Sequence, residues 1–152
     1  MEEKKIQVVT FGIADEVFGL YIIEVKEIIR TREIVWVPNS PDFIEGIINL
    51  RGDVIPIISL RKIFKIKPKE KNLKTRIIIC DLQGIIIGIE VDEVYKVISV
   101  AKDQLKKMPA VFSKIVDQNL VEGVIKTDDK LVIFLKILDV LTEDQKQRLA
   151  LL

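Results

Sequence analysis

The feature that most constrains the fold of this chain is that its pattern of short apolar runs is written twice. Laying "QVVTFGIADEVFG" (Gln7 to Gly19) on "RIIICDLQGIIIG" (Arg76 to Gly88) needs no gap, matches apolar to apolar almost throughout, and ends both copies on glycine. The short motif "VKEI" from Val25 then answers "VDEV" from Val91, and "EGIINLRGDVIPIISL" (Glu45 to Leu60) aligns without a gap to "EGVIKTDDKLVIFLKI" (Glu122 to Ile137). Three matches in the same order argue for an internal duplication, with modules over 5–70 and 76–141 inside a single domain. Each module holds about five short strands and a helical turn, too few for a large barrel but enough for a small, strongly bent one. The expected fold is therefore all-β, two small five-stranded barrels packed together with short helices. Duplicated modules can exchange strands, and the pattern does not say which strands belong to which barrel.

Within the first copy, "KIQVVTFGI" and "VFGLYI" flank Ala14-Asp15-Glu16 as a hairpin. Ile22, Val25 and Ile28 or Ile29 then recur at helical spacing and predict one or two helical turns, a stripe that "VDEVYKV" repeats in the second copy. "EIVWVP" reads as a strand stopped by Pro38, Ser40-Pro41 as the start of a brief helical turn through Phe43, and "LRKIF" as a short helix. Lys65 to Arg76 reads as a solvated basic linker. In the tail, Thr142 and Gln145 have capping-box spacing ahead of Leu149, Leu151 and Leu152, which predicts a C-terminal helix over 142–152.

Comparing the copies isolates one feature that duplication does not explain. Where the second copy turns on Lys126-Thr127-Asp128-Asp129, the first turns on Asn49-Leu50-Arg51-Gly52. A hairpin needs only a glycine-containing turn to close, so Leu50 and Arg51 contact something beyond it, either another part of the fold or a partner. Gly46 and Gly52 either supply backbone conformations closed to other residues or lie at a contact. Trp36 is either core or an interface anchor.

Chemical machinery is scarce. The chain carries no histidine, which removes the commonest general base, any Ser-His or Cys-His nucleophile, and zinc sites of the usual kind. Neither a "GxxxxGK" loop nor a "GxGxxG" opening a helix is present. Cys80 stands alone inside "RIIICDL", which fits a buried small hydrophobe in a reducing compartment. The charged start "MEEKKIQ" lacks an apolar signal core, and no apolar run approaches the ~18 residues that cross a bilayer, so the expected location is cytoplasmic, with no membrane insertion. With 24 basic against 23 acidic residues there is no field for nucleic acid or an anionic membrane. A barrel that binds single-stranded nucleic acid is the alternative to a protein-binding adaptor. It wants aromatic platforms in a basic groove, and this chain is 6% aromatic.

"VKEII", "VP" followed by "PDFIEGIINLRGDVIPIISLR", then "VDEV" and "EGVIKTDDKLVIFLKI" together resemble the CheW family of bacterial chemotaxis coupling proteins over nearly the whole chain. The resemblance implies two Src-homology-3-like barrels, no catalysis, no cofactor, and a scaffold joining the cytoplasmic tips of transmembrane chemoreceptors to the histidine kinase CheA in ordered arrays. It implies that the motif residues Asn49, Leu50, Arg51 and Gly52 lie near the binding surfaces, with Glu27 as ionic partner of Arg51. Kinase contacts would come from Ile34, Trp36, Gly46 and Gly52. The receptor tip would lie in an apolar groove between the barrels, lined by Ile22, Val25, Ile28 and Val97.

Overall fold

A computed structural model describes residues 4–107, 109, 121–128 and 130–137. Their strands are β1 (Lys5–Ile13), β2 (Glu16–Tyr21), β3 (Val25–Arg30), β4 (Ile44–Leu50), β5 (Asp53–Ile58), β6 (Arg76–Leu82), β7 (Ile85–Val91), β8 (Glu93–Ala101), β9 (Leu105–Lys106), β10 (Val121–Lys126) and β11 (Leu131–Leu135). One short helix, α1 (Leu60–Ile63), follows β5 and is capped by Ser59, whose hydroxyl oxygen accepts from the Lys62 amide at 3.1 Å. The helix expected over 142–152 lies outside the described residues.

The strands form two sheets, ordered β8-β1-β2-β11-β10-β9 and β3-β6-β7-β5-β4. The first sheet takes a hairpin from the first half of the chain and four strands from the second, and the other takes a hairpin from the second half and three strands from the first, so the halves are interlocked rather than side by side. The two arrangements correspond in register as well as order. Ile57 stands beside Gly88 in the parallel pair β5·β7, and Phe134 beside Gly19 in β11·β2. These are the residues that the gapless alignments superpose.

Each sheet curls round its own small core. Ile48 and Leu50 of β4 share one cluster with Ile55, Ile57, Ile77 and Ile79, and Ile29 of the opposite edge strand packs on it. Val8, Val100, Ile125, Val132 and Phe134 do the same for the other sheet. Residues from both edges can meet only if the sheet is strongly bent, so each is a small, partly open barrel. The sheet containing β1 is called barrel 1 and the sheet containing β6 barrel 2. A third and larger cluster lies between them, with Phe11, Ile13, Phe18 and Leu20 against Ile78, Cys80, Ile87 and Ile89. The central strands are therefore buried on both faces. On β6, Ile77 and Ile79 enter barrel 2 while Ile78 and Cys80 enter the joint between barrels, which is why "RIIICDL" is a continuous apolar run. Each such isoleucine contributes about 1.5–3 kcal/mol by leaving water.

The helical stripe predicted over Ile22 to Ile29 is a 3-10 turn, Ile22–Glu24, followed by strand β3. The three-residue spacing comes from a β-bulge. Val25 stands opposite Cys80 and Ile28 opposite Ile78, with the register shifting between Val25 and Glu27. One inserted residue thus puts i and i+3 on the same face of a strand. In β8 a second bulge sets Val94 opposite Phe11 and Val97 opposite Val9. Thr10 fills that irregularity: its hydroxyl donates to Lys96 O at 2.6 Å and accepts from Lys96 N at 3.2 Å. "EIVWVP" pairs only at Val35, which forms an isolated bridge to Ile47. The segment after Ser40 is a hydrogen-bonded turn, Ile44 N to Pro41 O at 3.0 Å, rather than a helix. Among the described residues, no helix is long and apolar enough to cross a membrane.

Candidate functional site

The β4–β5 turn answers the question its arginine raises. Arg51 and Gly52 both have positive φ, 50° and 89°, between the paired residues Leu50 and Asp53. This is the two-residue hairpin geometry in which glycine fits its position without strain. Asn49 Oδ1 accepts from the Gly52 amide at 2.9 Å. The β6–β7 turn repeats the backbone with Gln83 and Gly84 at φ 55° and 95°, and Asp81 Oδ1 accepts from Gly84 N at 2.9 Å. The turn therefore does not need an arginine. Arg51 instead reaches across the barrel mouth, where its Nη2 donates to Glu27 Oε2 of β3 at 2.5 Å. The hydrogen bond from Arg51 holds the Glu27 carboxyl below its ordinary range. Leu50 points the other way and is buried in the core of barrel 2.

Exposed apolar side chains stand along the β4–β5 hairpin and the segment bridged to it. Trp36 is 67% exposed, and Val35 and Val54 are exposed with it. Ile48, Leu50, Ile55 and Ile57 point into barrel 2, so Ile47, Asn49 and Val54 alternate outward. Val35 is held against them by two hydrogen bonds with Ile47, each 2.9 Å. Gly46 makes that approach possible. It is buried, and a Cβ there would collide with the Val35 carbonyl oxygen and come within 2.7 Å of Ile34 Cγ2. Ile34 packs on the barrel core. Of the four residues expected at the kinase contact, Trp36 and Gly52 are thus exposed, Ile34 is half-buried and Gly46 acts through Val35. Val35 and Val54 were not singled out from the sequence; the outward positions in the β4–β5 register are the signal that finds them.

The second set sits on β3 and β8, the outer strands of their sheets. Val25 packs against the central core, whereas Ile28 is 41% and Val97 48% exposed. Ile28 pairs with Ile78 and Val97 with Val9, so the two occupy corresponding positions, each on the face of its sheet that turns toward the other barrel, and the match of "VKEI" is to Val94–Val97 rather than to "VDEV". Ile22, also exposed, belongs to the 3-10 turn that contacts both β1 and β6. The central core thus continues outward as an apolar margin on both sheets.

An ion-pair clasp fixes the barrels to each other. Arg61 Nη2 of α1 donates to Asp92 Oδ1 and Oδ2 at 2.8 and 2.6 Å, and Asp92 Oδ2 also accepts from Ala14 N at 2.8 Å. The pair is half-buried and joins the end of β5, the β7–β8 corner and the β1–β2 turn. The basic linker is tied down rather than simply solvated. Arg61 Nη1 donates to Lys67 O, Lys71 Nζ lies 3.2 Å from Glu90 Oε2, and Lys69 reaches Asp92 at 4.0 Å. Cys80 is fully buried, and burial, with Glu24 nearby, pushes its thiol up to about 12, so it is neither a nucleophile nor a ready thiolate.

Known proteins share this architecture and sequence. The model of the CheW-like domain matches residues 7–145. The chemotaxis protein CheW of Helicobacter pylori is 31% identical over 142 residues, covering 93% of this chain and 85% of the relative. That of Thermotoga maritima is 32% identical over 140 residues, covering 92% and 90%. The crystal structure of the scaffolding protein TtCheW from Thermoanaerobacter tengcongensis superposes with a TM-score of 0.80 at 40% identity, covering 90% of this chain and 87% of that one. The strand-exchanged double barrel, the NLRG turn and these likenesses lead to one conclusion: the chain belongs to the CheW family of chemotaxis scaffold proteins.

Proposed function

We propose that this chain is a non-catalytic adaptor that couples the cytoplasmic tips of transmembrane chemoreceptors to the histidine kinase CheA, working in the cytoplasm at the receptor array. The observation that carries this reading is the pairing of two exposed apolar surfaces on one rigid scaffold. One is built from Trp36, Val35 and Val54, the other from Ile22, Ile28 and Val97. The first surface takes the kinase, with Ile34 supporting it from the core and Gly46 and Gly52 setting its backbone. The second takes a receptor helix, whose anchors at i, i+3 and i+4 match an apolar margin between two barrels, and Val25 underlies it. The Arg51–Glu27 pair ties β3, which bears Ile28, to the β4–β5 turn. Interfaces of about 1,200 Å² or less commonly give micromolar affinity, and repetition in an array raises the effective concentration of each contact. Co-sedimentation with a receptor cytoplasmic fragment and a CheA-type kinase, singly and together, tests the coupling. The expected result is binding to each alone and a ternary complex with both; competition between the two would overturn it.

A further inference from the structure

The segment that carries Trp36 has a counterpart in the other half of the chain, and the two are held in different ways. Gly46 lets the Val35 carbonyl approach β4 as Gly123 lets the Lys106 carbonyl approach β10, so Val35 and Lys106 correspond. Val35 follows Ile28 by seven positions, whereas Lys106 follows the equivalent Val97 by nine. The longer connection has room for a 3-10 turn, Lys102–Gln104, in which Gln104 Oε1 accepts from Ala101 N at 2.7 Å, and it pairs with β10 at both Leu105 and Lys106. Among the described residues, the shorter one pairs with β4 at the isolated bridge of Val35 to Ile47. So small a ladder opens easily unless the chain on either side of it is anchored.

That anchor comes from remote parts of the sequence. Glu90 of β7 accepts from Thr31 Oγ1 at 2.6 Å, and the same carboxylate oxygen lies 3.2 Å from Lys71 Nζ. The Lys71 ammonium also donates to Arg32 O at 3.1 Å, and Arg32 Nη1 donates to Asn49 O at 3.1 Å. Thr31 N donates to Thr75 O at 3.3 Å. The linker therefore holds the chain at the point where it leaves β3 for Trp36.

We propose that Lys71 is a positioning residue for the kinase-docking surface, a role that rests on the adaptor reading. Its ammonium joins the Glu90 carboxylate to the Arg32 carbonyl, so that β7 and the linker fix the root of the segment while Val35 fixes its middle. A lysine suits the place because its flexible stem carries three donors, enough for a carboxylate and a carbonyl together. Lys74, in the same linker, pairs instead with Glu93 at 3.9 Å and serves as the matched control.

Trp36 is the single tryptophan, so time-resolved fluorescence anisotropy of the free full chain reads its mobility, and co-sedimentation with the kinase and with the receptor fragment reads docking. Lys71→Gln should enlarge the sub-nanosecond loss of Trp36 anisotropy. It should also weaken kinase binding about threefold, the size expected of an exposed ionic contact, and leave receptor binding unchanged. Lys71→Arg, which keeps the charge and the donors, should restore both properties, and Lys74→Gln should alter neither. Trp36 mobility unchanged in Lys71→Gln, or changed equally in Lys74→Gln, would overturn the positioning role while the parent still binds the kinase. A parent chain that bound no kinase would overturn the adaptor reading and the docking role with it.

Discussion

The two barrels share strand order, register and bulges, yet their mouths are built from opposite materials. In barrel 2 the β4–β5 turn sends Leu50 into the core and Arg51 across to Glu27, so the mouth is filled and clasped by the chain itself. In barrel 1 the β10–β11 turn offers Thr127 and Asp128, and the mouth stays wider. The lesson is that a duplicated scaffold keeps what the fold needs, the apolar alternation and the glycines at close approaches, while the turns diverge. The arginine belongs to that second class. A turn of the same backbone closes on Gln83 and Gly84 without one.

Swapping the mouths breaks the comparison most forcefully. Leu50→Thr should lower the unfolding free energy by about 2–4 kcal/mol, because it removes a buried branched side chain and leaves a hydroxyl in an apolar core. Thr127→Leu should change it by about 1 kcal/mol or less, because filling the apolar mouth is offset by loss of the hydroxyl's hydrogen bonds with Lys130 O and N. Urea titrations of both variants check this, and similar losses in both would mean that the mouths are not different in kind.

The close approaches should behave alike in both barrels. Ala at Gly46 meets the Val35 carbonyl, and Ala at Gly123 meets the Lys106 carbonyl. Each substitution should cost about 1–3 kcal/mol, since a backbone atom has to move. Only Gly46→Ala should also weaken kinase co-sedimentation, because only Val35 carries Trp36 beside it. Kinase binding lost equally in Gly123→Ala would separate the Trp36 surface from that contact.

How much of this was legible in the sequence depended on the kind of constraint. The repeat was visible because apolar positions and glycines answer the same packing needs twice. The exchange of strands was not, because the parallel pairs β2·β11 and β5·β7 are set by closure of the whole molecule and leave no local pattern. The spacing of Val25 and Ile28 suggested a helix because a bulge imitates helical periodicity over three residues. Both arrangements place the two side chains on one side. Trp36 was undecided between core and interface because the sequence does not give its burial; its exposure in the structure removes it from the core. The Arg61–Asp92 clasp went unnoticed because its partners are 31 positions apart and lie in two different motifs, with no local pattern joining them.

The smallest stability effect belongs to the exposed Arg51–Glu27 pair, and it has a pH signature. The Glu27 carboxyl is lowered in the folded state, chiefly by the hydrogen bond from Arg51, so the stabilisation is fully present above the ordinary glutamate range. It disappears as pH falls through the lowered folded value. Arg51→Ala should therefore unfold slightly more easily than the parent at neutral pH and converge with it in acid. A difference that persists unchanged in acid would assign the effect to something other than this pair.

The central claim, two docking surfaces on one scaffold, is tested most directly by co-sedimenting Ile28→Asp and Trp36→Ala separately with the receptor fragment and with the kinase. Both side chains are exposed, so both variants should fold. The account predicts that Ile28→Asp loses the receptor and keeps the kinase, and that Trp36→Ala does the reverse. Both variants losing both partners, or neither variant losing either, would contradict it.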